Sequence, residues 1–316
     1  LPRFEAGQAV VCVPVYGAHA LFAACLERLV RHTPSHVPIL VADDATPDPA
    51  SRALAQELDR EILWSRADRN GGFVENVNRA VSLTAPADVV IVNSDVEVSA
   101  EWFERLRAAA LSAADGATAT ALTNHGTIVS VPDRNRPAPT LPEGVGLDEL
   151  AAAIGAQAEQ TRPRLPTAIG HCMYLRRDAL DAVGLFDPAF SPGYGEEVDF
   201  SQRCAAAGLA HVLADDVFVL HHGSGSFGPG SPERIAIQEA HEALIAQRWP
   251  RYHAAVSAVA ADTRGPLARA LAIASAACAA QPARHGLSAS ESGAHPRTPP
   301  GVARRWFPRR RGRRGV

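Results

Sequence analysis

The sequence predicts an α/β protein with a mostly parallel sheet flanked by helices, and three observations support this. Short β-branched runs alternate with amphipathic helical stretches through the first half, the pattern that helical crossovers between parallel strands require. The 316 residues are 47% hydrophobic and 21% charged, enough for a sizeable core. Polar residues also gather where the strand-like runs stop, and open parallel sheets bind ligands beyond those ends.

The elements follow in order. Val10–Val13 is a short strand ending at Pro14, and Ala20 to Val30 shows helical spacing through Leu21, Cys25, Leu26 and Leu29. Ile39–Ala42 is a second strand stopped by Asp43-Asp44, and Asp48-Pro49 opens a helix carrying Leu54 and Leu58. Ile62–Trp64 is the third strand, Gly72 to Leu83 a helix, and Val89–Val92 the fourth and most apolar strand. Ser99 reads as the cap of a helix through Trp102, Leu106 and Ala109. Residues 132–166 hold six prolines around one helical patch, Leu147–Ala158, and read as an insertion or lid. Regular structure resumes at Ala168–Leu175, followed by helices near Asp178–Val183 and Glu196–Ala207. His211–Leu213 and Val217–Leu220 read as two short strands, and Ser231-Pro232 opens a long helix to Arg248. An Ala-rich helical segment spans Tyr252–Ala280, and from Gln281 onward Pro, Gly, Ser and Arg predict disorder. The expected organisation is a catalytic domain over 1–250, a helical extension over 251–280 and an Arg-rich tail over 281–316.

Composition excludes several chemistries. The chain contains no lysine, so no P-loop, kinase or Schiff-base lysine is available. The formal charge of −3 is uneven: seven Arg and no acid lie in 304–316, and the rest carries −10. The body therefore has no basic field for nucleic acid. Cys12, Cys25, Cys172, Cys204 and Cys278 are scattered among apolar residues without a C-x-x-C pair, which predicts buried free thiols in a reducing compartment. No apolar run reaches the ~18 residues of a membrane span. The N-terminus lacks a signal-peptide layout and an initiator Met, so a cytoplasmic, processed or excised chain is expected.

Three polar clusters carry the chemistry. Pro14-Val15-Tyr16, Asp43-Asp44, Asn70-Gly71-Gly72-Phe73 and Asn93-Ser94-Asp95 follow the first four strands. A carboxylate such as Asp95 after a buried strand can hold a divalent cation against a diphosphate, or it can simply turn the chain. Gly193 to Phe200 places Glu196, Glu197 and Asp199 at a helix start, where acids either complement the macrodipole or supply a base. His221-His222 precedes a Gly/Ser loop and could ligate a metal as neutral imidazole.

Together these pieces resemble the family 2 glycosyltransferases of GT-A fold, especially the bacterial rhamnosyl- and galactofuranosyl-type branch. The resemblance runs from residue 9 to 228. It rests on Val13-Pro14-Val15-Tyr16, Asp43 to Asp48, Asn70 to Phe73 with Asn76 and Asn78, and Asn93 to Val98. It continues through Gly184 to Asp187, Glu196 to Phe200 and His221-His222-Gly223. It implies that Pro14, Val15 and Tyr16 border the nucleotide, that Asp44 binds its base, and that Asn70, Asn78, Asn93 and Ser94 line the nucleotide-sugar pocket. Asp95 matches the last Asp of the family's D-x-D motif, with Asn93 in place of the first carboxylate. Glu197 stands where the family carries an Asp base. His221, or failing it His222, completes a manganese or magnesium site. Tyr194, Glu196 and Asp199 fall on the acceptor side. The implied activity is inverting transfer from a nucleotide-diphosphate sugar to a glycan or lipid-linked acceptor in cell-envelope polysaccharide synthesis. A dinucleotide oxidoreductase is disfavoured, because no G-x-G-x-x-G follows the first strand. The rival is a non-catalytic adaptor reaching an anionic membrane or nucleic acid through the Arg tail. The tail reads first as a solvated disordered end; if it binds, weak peripheral contact with an anionic membrane at its inner face is expected ahead of nucleic acid.

Overall fold

The computed structural model describes residues 1–134, 138, 140–141, 143–223 and 231–281. The Arg-rich tail lies outside the described residues. In chain order the elements are β1 (Ala9–Val15), α1 (His19–His32), β2 (Ile39–Asp43), α2 (Ala50–Glu57), β3 (Leu63–Arg66), α3 (Gly72–Leu83), β4 (Asp88–Val92), β5 (Val96–Glu97), α4 (Trp102–Ala110) and β6 (Gly116–Thr123). Then come α5 (Leu147–Gln157), β7 (Arg164–Leu165), β8 (Cys172–Leu175), α6 (Arg177–Val183), α7 (Glu196–Ala206), β9 (Ala210–His221), α8 (Pro232–Arg248), α9 (Tyr252–Ala261) and α10 (Pro266–Ala279). Short 3-10 turns occupy Thr127–Val129 and Pro188–Phe190.

All seven residues of β1 are buried, because helices cover both faces of the sheet. Val11, Val13 and Val15 share a core with Phe22, Cys25, Leu26 and Leu29 of α1. Val10 and Cys12 point the other way, into the core that holds Val74, Val77, Ala80 and Val81 of α3. The strand's two-residue period thus meets the helices' three-to-four-residue period on opposite faces. The strand order is β3-β2-β1-β4-β8-β6-β9-β5, with β7 on β9. β1 pairs in parallel with β2 and β4, β2 with β3, and β6 with β9, while β8 runs antiparallel between β4 and β6. The carboxyl ends of β1, β2, β3, β4, β6 and β9 therefore share one rim.

Four expectations are corrected. Residues 116–123, not read as a strand, form β6, buried along its whole length. The two short strands near 211 and 217 are one strand, β9, whose register against β6 slips from Ala121↔Ala214 to Leu122↔Phe218. Asp215 and Asp216 sit in that bulge, and both pair with Arg162. Ser99 does not cap α4: the cap position is Glu101, with a left-handed backbone and no side-chain bond. The Ala-rich segment is two helices, because the Asp262 carboxylate turns the chain by accepting from the amides of Arg264 and Gly265 at 2.9 Å.

The segment expected to be a lid is anchored. Leu150, Ala151 and Ile154 of α5 share a third core with Leu213 and Phe218 of β9 and with Leu267, Leu271 and Ala274 of α10. Residues 135–137, 139 and 142 of that segment lie outside the described residues. The five cysteines are free and buried. Among the described residues no helix is long and apolar enough to cross a membrane.

Candidate active site

At the ends of β1 and β2, Pro14 and Val15 are buried in register with Ala42 and Asp43, and Tyr16 beyond them is 37% exposed. Asp43 accepts from the Thr46 amide at 2.7 Å and from Arg66 at 2.5 Å. Arg79 of α3 reaches the Asp43 carbonyl at 3.3 Å, the Ser65 carbonyl at 3.1 Å and the Asn76 amide oxygen at 2.6 Å. Asp44 accepts from the amides of Gly71 and Gly72, each at 2.9 Å. Burial nevertheless raises its carboxyl above the ordinary range, against the lowering by those two amides. Asn70 is exposed and closes the same loop, its side chain accepting from the Gly72 amide at 3.0 Å. Gly72 has φ +81°, and a Cβ there would lie 2.6 Å from Pro192. The loop after β3 therefore seats against the loop before α7.

Asn78, expected in the pocket, braces the turn after α6. Its amide donates to the Phe186 carbonyl at 2.8 Å and accepts from the Phe186 N–H at 3.0 Å, which fixes the Gly184 to Asp187 turn. Asp199, expected on the acceptor side, also makes bracing bonds. It is 1% exposed and accepts from Arg203 at 2.8 Å, Trp249 at 3.0 Å and Arg248 at 3.1 Å.

The end of β4 meets the end of β9. Asp95 lies 8% exposed, with His221 Nε2 3.4 Å from its carboxylate. His221 Nδ1 stands 2.7 Å from the His125 carbonyl. A carbonyl only accepts, so Nδ1 carries a proton; the Asp95 carboxylate also only accepts, so Nε2 donates to it in the protonated ring and would offer a lone pair to a cation once that proton leaves. Asn124 fixes the backbone of His221, accepting from its N–H at 2.7 Å and donating to its carbonyl at 3.0 Å. Burial alone would depress His221, but its hydrogen bond to Asp95, the carboxylate charge and the His125 carbonyl raise it. The rings of His125 and His171 lie 5.6 Å from the His221 ring. Burial holds His171 down to about 3, so it stays neutral. His222 turns elsewhere, 2.8 Å from Glu97, and that bond holds Glu97 below the usual carboxylate range. Ser94 is half-buried, and the Asn93 side-chain oxygen is buried with no partner among the described residues. Also among the described residues, no group of three or more His, Cys, Asp or Glu closes a metal cage. Asp95 and His221 form an open pair that would fit a cation with further ligands from elsewhere, and the partnerless Asn93 oxygen lies two residues before Asp95 in the chain.

The base candidate begins α7 at the same rim. Phe73 donates to the Pro192 carbonyl at 2.7 Å, and Ser201 accepts from the Ala168 amide at 2.9 Å, close to where β8 starts. Glu196 and Glu197 each keep one buried carboxylate oxygen without a partner among the described residues. Burial raises both, and the charge of Glu197 raises Glu196 further. Helix-start amides partly oppose this. Tyr252 lies near enough that the charge of Glu197, after burial, raises its hydroxyl. Tyr194 is half-buried, with the Arg234 guanidinium 5.2 Å from its ring centre. The sequence did not single out His125, His171, Asn124 or His241. Asn124 and His125 directly follow the unread β6, so recognising that strand would have placed them at the rim.

The glycosyl transferase family 2 model matches residues 10–184, more than half of the chain. The chain belongs to glycosyl transferase family 2. This family 2 glycosyltransferase is 28% identical over 98 residues to EpsJ of Bacillus subtilis (strain 168), an uncharacterized glycosyltransferase. The match covers 30% of this chain and 28% of EpsJ. Its fold is similar to that of the mannosyltransferase PcManGT from Pyrobaculum calidifontis, solved with GDP-Man and Mn2+. That likeness has a TM-score of 0.56 at 18% identity, over 89% of this chain and 76% of the other. GalNAc-T7, solved with UDP, GalNAc and Mn2+, is similar at TM-score 0.55 and 13% identity, over 78% of this chain and 51% of the other. The glycosyltransferase has the GT-A fold, with a mainly parallel central sheet between helices.

Proposed function

We propose that this enzyme is an inverting, metal-dependent glycosyltransferase. It moves a sugar from a nucleotide-diphosphate sugar to a hydroxyl of a glycan or lipid-linked acceptor in cell-envelope polysaccharide synthesis. The observation that carries the reading is the pairing of Asp95 with a His221 whose Nδ1 proton and backbone are both fixed. Manganese or magnesium held by Asp95 and His221, with Asn93 beside them, would supply charge neutralisation to the departing diphosphate. Two similarly folded enzymes were solved with Mn2+, one with UDP and one with GDP-Man, which supports the metal and the donor class.

The chain's own residues do the rest. Tyr16 and the Asn70 loop border the nucleotide, while Asp44 holds that loop to β2 and offers its remaining lone pairs to the base. Glu197 takes the proton from the acceptor hydroxyl as that oxygen attacks the anomeric carbon. The new C–O bond forms on the face opposite the breaking bond to the diphosphate, so no covalent enzyme intermediate arises. Glu196 and Tyr194 lie on the acceptor side. A lipid-linked acceptor would bring the enzyme to the inner face of the membrane, where the Arg-rich tail supplies contact with anionic headgroups.

The test is a panel of UDP-, GDP- and dTDP-sugars, assayed for nucleotide diphosphate release with manganese and a mixture of glycan acceptors. Release from at least one donor, abolished by excess chelator, is the expected result. No release from any donor, with nucleotide diphosphates failing to bind, would favour the adaptor reading.

A further inference from the structure

The turn leading into the base is strained, and one imidazole holds it. Tyr194 has φ +76°, a region non-glycine residues rarely enter, and Gly195 follows at φ +97°. A Cβ on Gly195 would lie 3.2 Å from the Phe190 ring, so the chain turns tightly over that ring. Such conformations persist only where surrounding groups over-determine them. Here the surrounding group is His241 of α8, whose Nδ1 stands 3.0 Å from the Gly193 carbonyl and 2.8 Å from the Tyr194 carbonyl. Both partners only accept, so Nδ1 carries the proton and bridges them. The imidazole packs edge-on against Phe190 at 5.4 Å, the same ring that limits Gly195.

The rest of α8 serves the same stretch. Ile245 is its one fully buried residue among those described, and it lies 3.6 Å from where a Gly195 Cβ would stand. Arg248 bonds Asp187 at 2.7 Å and Asp199 at 3.1 Å, and Trp249 just beyond the helix bonds Asp199 at 3.0 Å. The helix thus clamps the chain on both sides of Glu196-Glu197. Arg248 and Trp249 hold the body of α7, and His241 holds the turn from which Glu197 emerges.

We propose that His241 is a positioning residue for the transfer reaction, its bridged carbonyls fixing the turn that aims the Glu197 carboxylate at the acceptor hydroxyl. The inference rests on Glu197 being the base. A misplaced base costs the chemical step and leaves donor binding untouched, because the donor is held by the other strand ends. Displacements of about 1 Å are worth roughly 10²-fold in rate.

The experiment compares His241→Ala, His241→Asn and His241→Gln in the full chain. An Asn amide nitrogen sits where Nδ1 does relative to Cβ, whereas Gln carries it one methylene further out. Turnover is read as nucleotide diphosphate release from the donor found in the panel. Amide hydrogen exchange over 193–199 reads the turn itself, whichever donor is used. The expected results are a roughly 10²-fold loss of kcat in His241→Ala at unchanged donor KM, faster exchange over 193–199, and recovery of both in His241→Asn but not in His241→Gln. Wild-type turnover or exchange in His241→Ala, or His241→Asn no better than His241→Gln, overturns the proposal. Should His241→Ala fail to fold, the Asn–Gln comparison decides. Loss of turnover in Glu197→Gln alongside full turnover in His241→Ala refutes the positioning role alone. Full turnover in Glu197→Gln refutes the base reading instead.

Discussion

In the base role proposed for it, Glu197 must be ionised, and burial raises its carboxyl above the ordinary 4.5. Turnover should therefore fall as pH drops through that raised value, with the acid limb displaced toward neutrality from where a solvated carboxylate would put it. Glu197→Gln keeps the shape, removes the proton acceptor and should lower kcat by roughly 10²–10⁴-fold with donor KM unchanged. A pH–rate profile with both measurements checks this, and a large rise in donor KM at normal kcat would remove Glu197 from the base role. Asp95 and Glu197 lie where the sequence places them, after a strand and at a helix start, because those turns are set by their immediate neighbours. The bracing bonds of Asn78 and Asp199 were not legible because their partners come from afar: Phe186 is 108 residues from Asn78, and Arg248 is 49 from Asp199. A polar residue in a motif looks the same whether it faces a ligand or closes a long-range brace.

The strands that were legible, β1, β2 and β4, are rich in Val and Ile. β6 was not, because Gly-Ala-Thr-Ala-Thr-Ala-Leu-Thr carries little hydrophobic signal and its burial comes from lying between β8 and β9. Its Thr118 hydroxyl meets His211 Nδ1 at 2.8 Å, and His211 Nε2 donates to the Ser201 carbonyl at 2.9 Å, tying β6, β9 and α7 together through a neutral ring. Burial lowers His211 from 6.5 to about 4. The unfolded chain binds this proton first, so stability is complete above about pH 6.5 and is lost as pH falls toward 4. The loss is on the order of 3 kcal/mol. Thermal melts from pH 7 to 4 should show that slope in the wild type and a shallower one in His211→Gln; parallel slopes would contradict it. The prolines of 132–166 suggest an insertion or lid; within it Leu150, Ala151 and Ile154 form a packed face, and α10 supplies the surface that covers it. Ile154→Ala should cost about 2–5 kcal/mol of stability, read as a lowered Tm with donor KM unchanged; a Tm within error of wild type would return α5 to the lid role.

Across the whole molecule the sheet is what makes a site from residues far apart in sequence. Parallel strands deliver Tyr16, the Asp44 loop, Asp95 and His221 to one rim, and the contact of Phe73 with Pro192 brings the start of α7 to it. The alternation of strands and helices was enough to predict that rim, while the meeting of β4 with β9 needed the strand order. In the proposed site Asp95 and His221 together hold a divalent cation against a nucleotide diphosphate. Manganese binding, followed by the loss of free-ion EPR signal with UDP or GDP present, tests it most directly. Wild type should take up manganese with the nucleotide, Asp95→Ala and His221→Ala should not, and both variants should keep the wild-type circular dichroism spectrum. Undiminished manganese uptake by Asp95→Ala would contradict it.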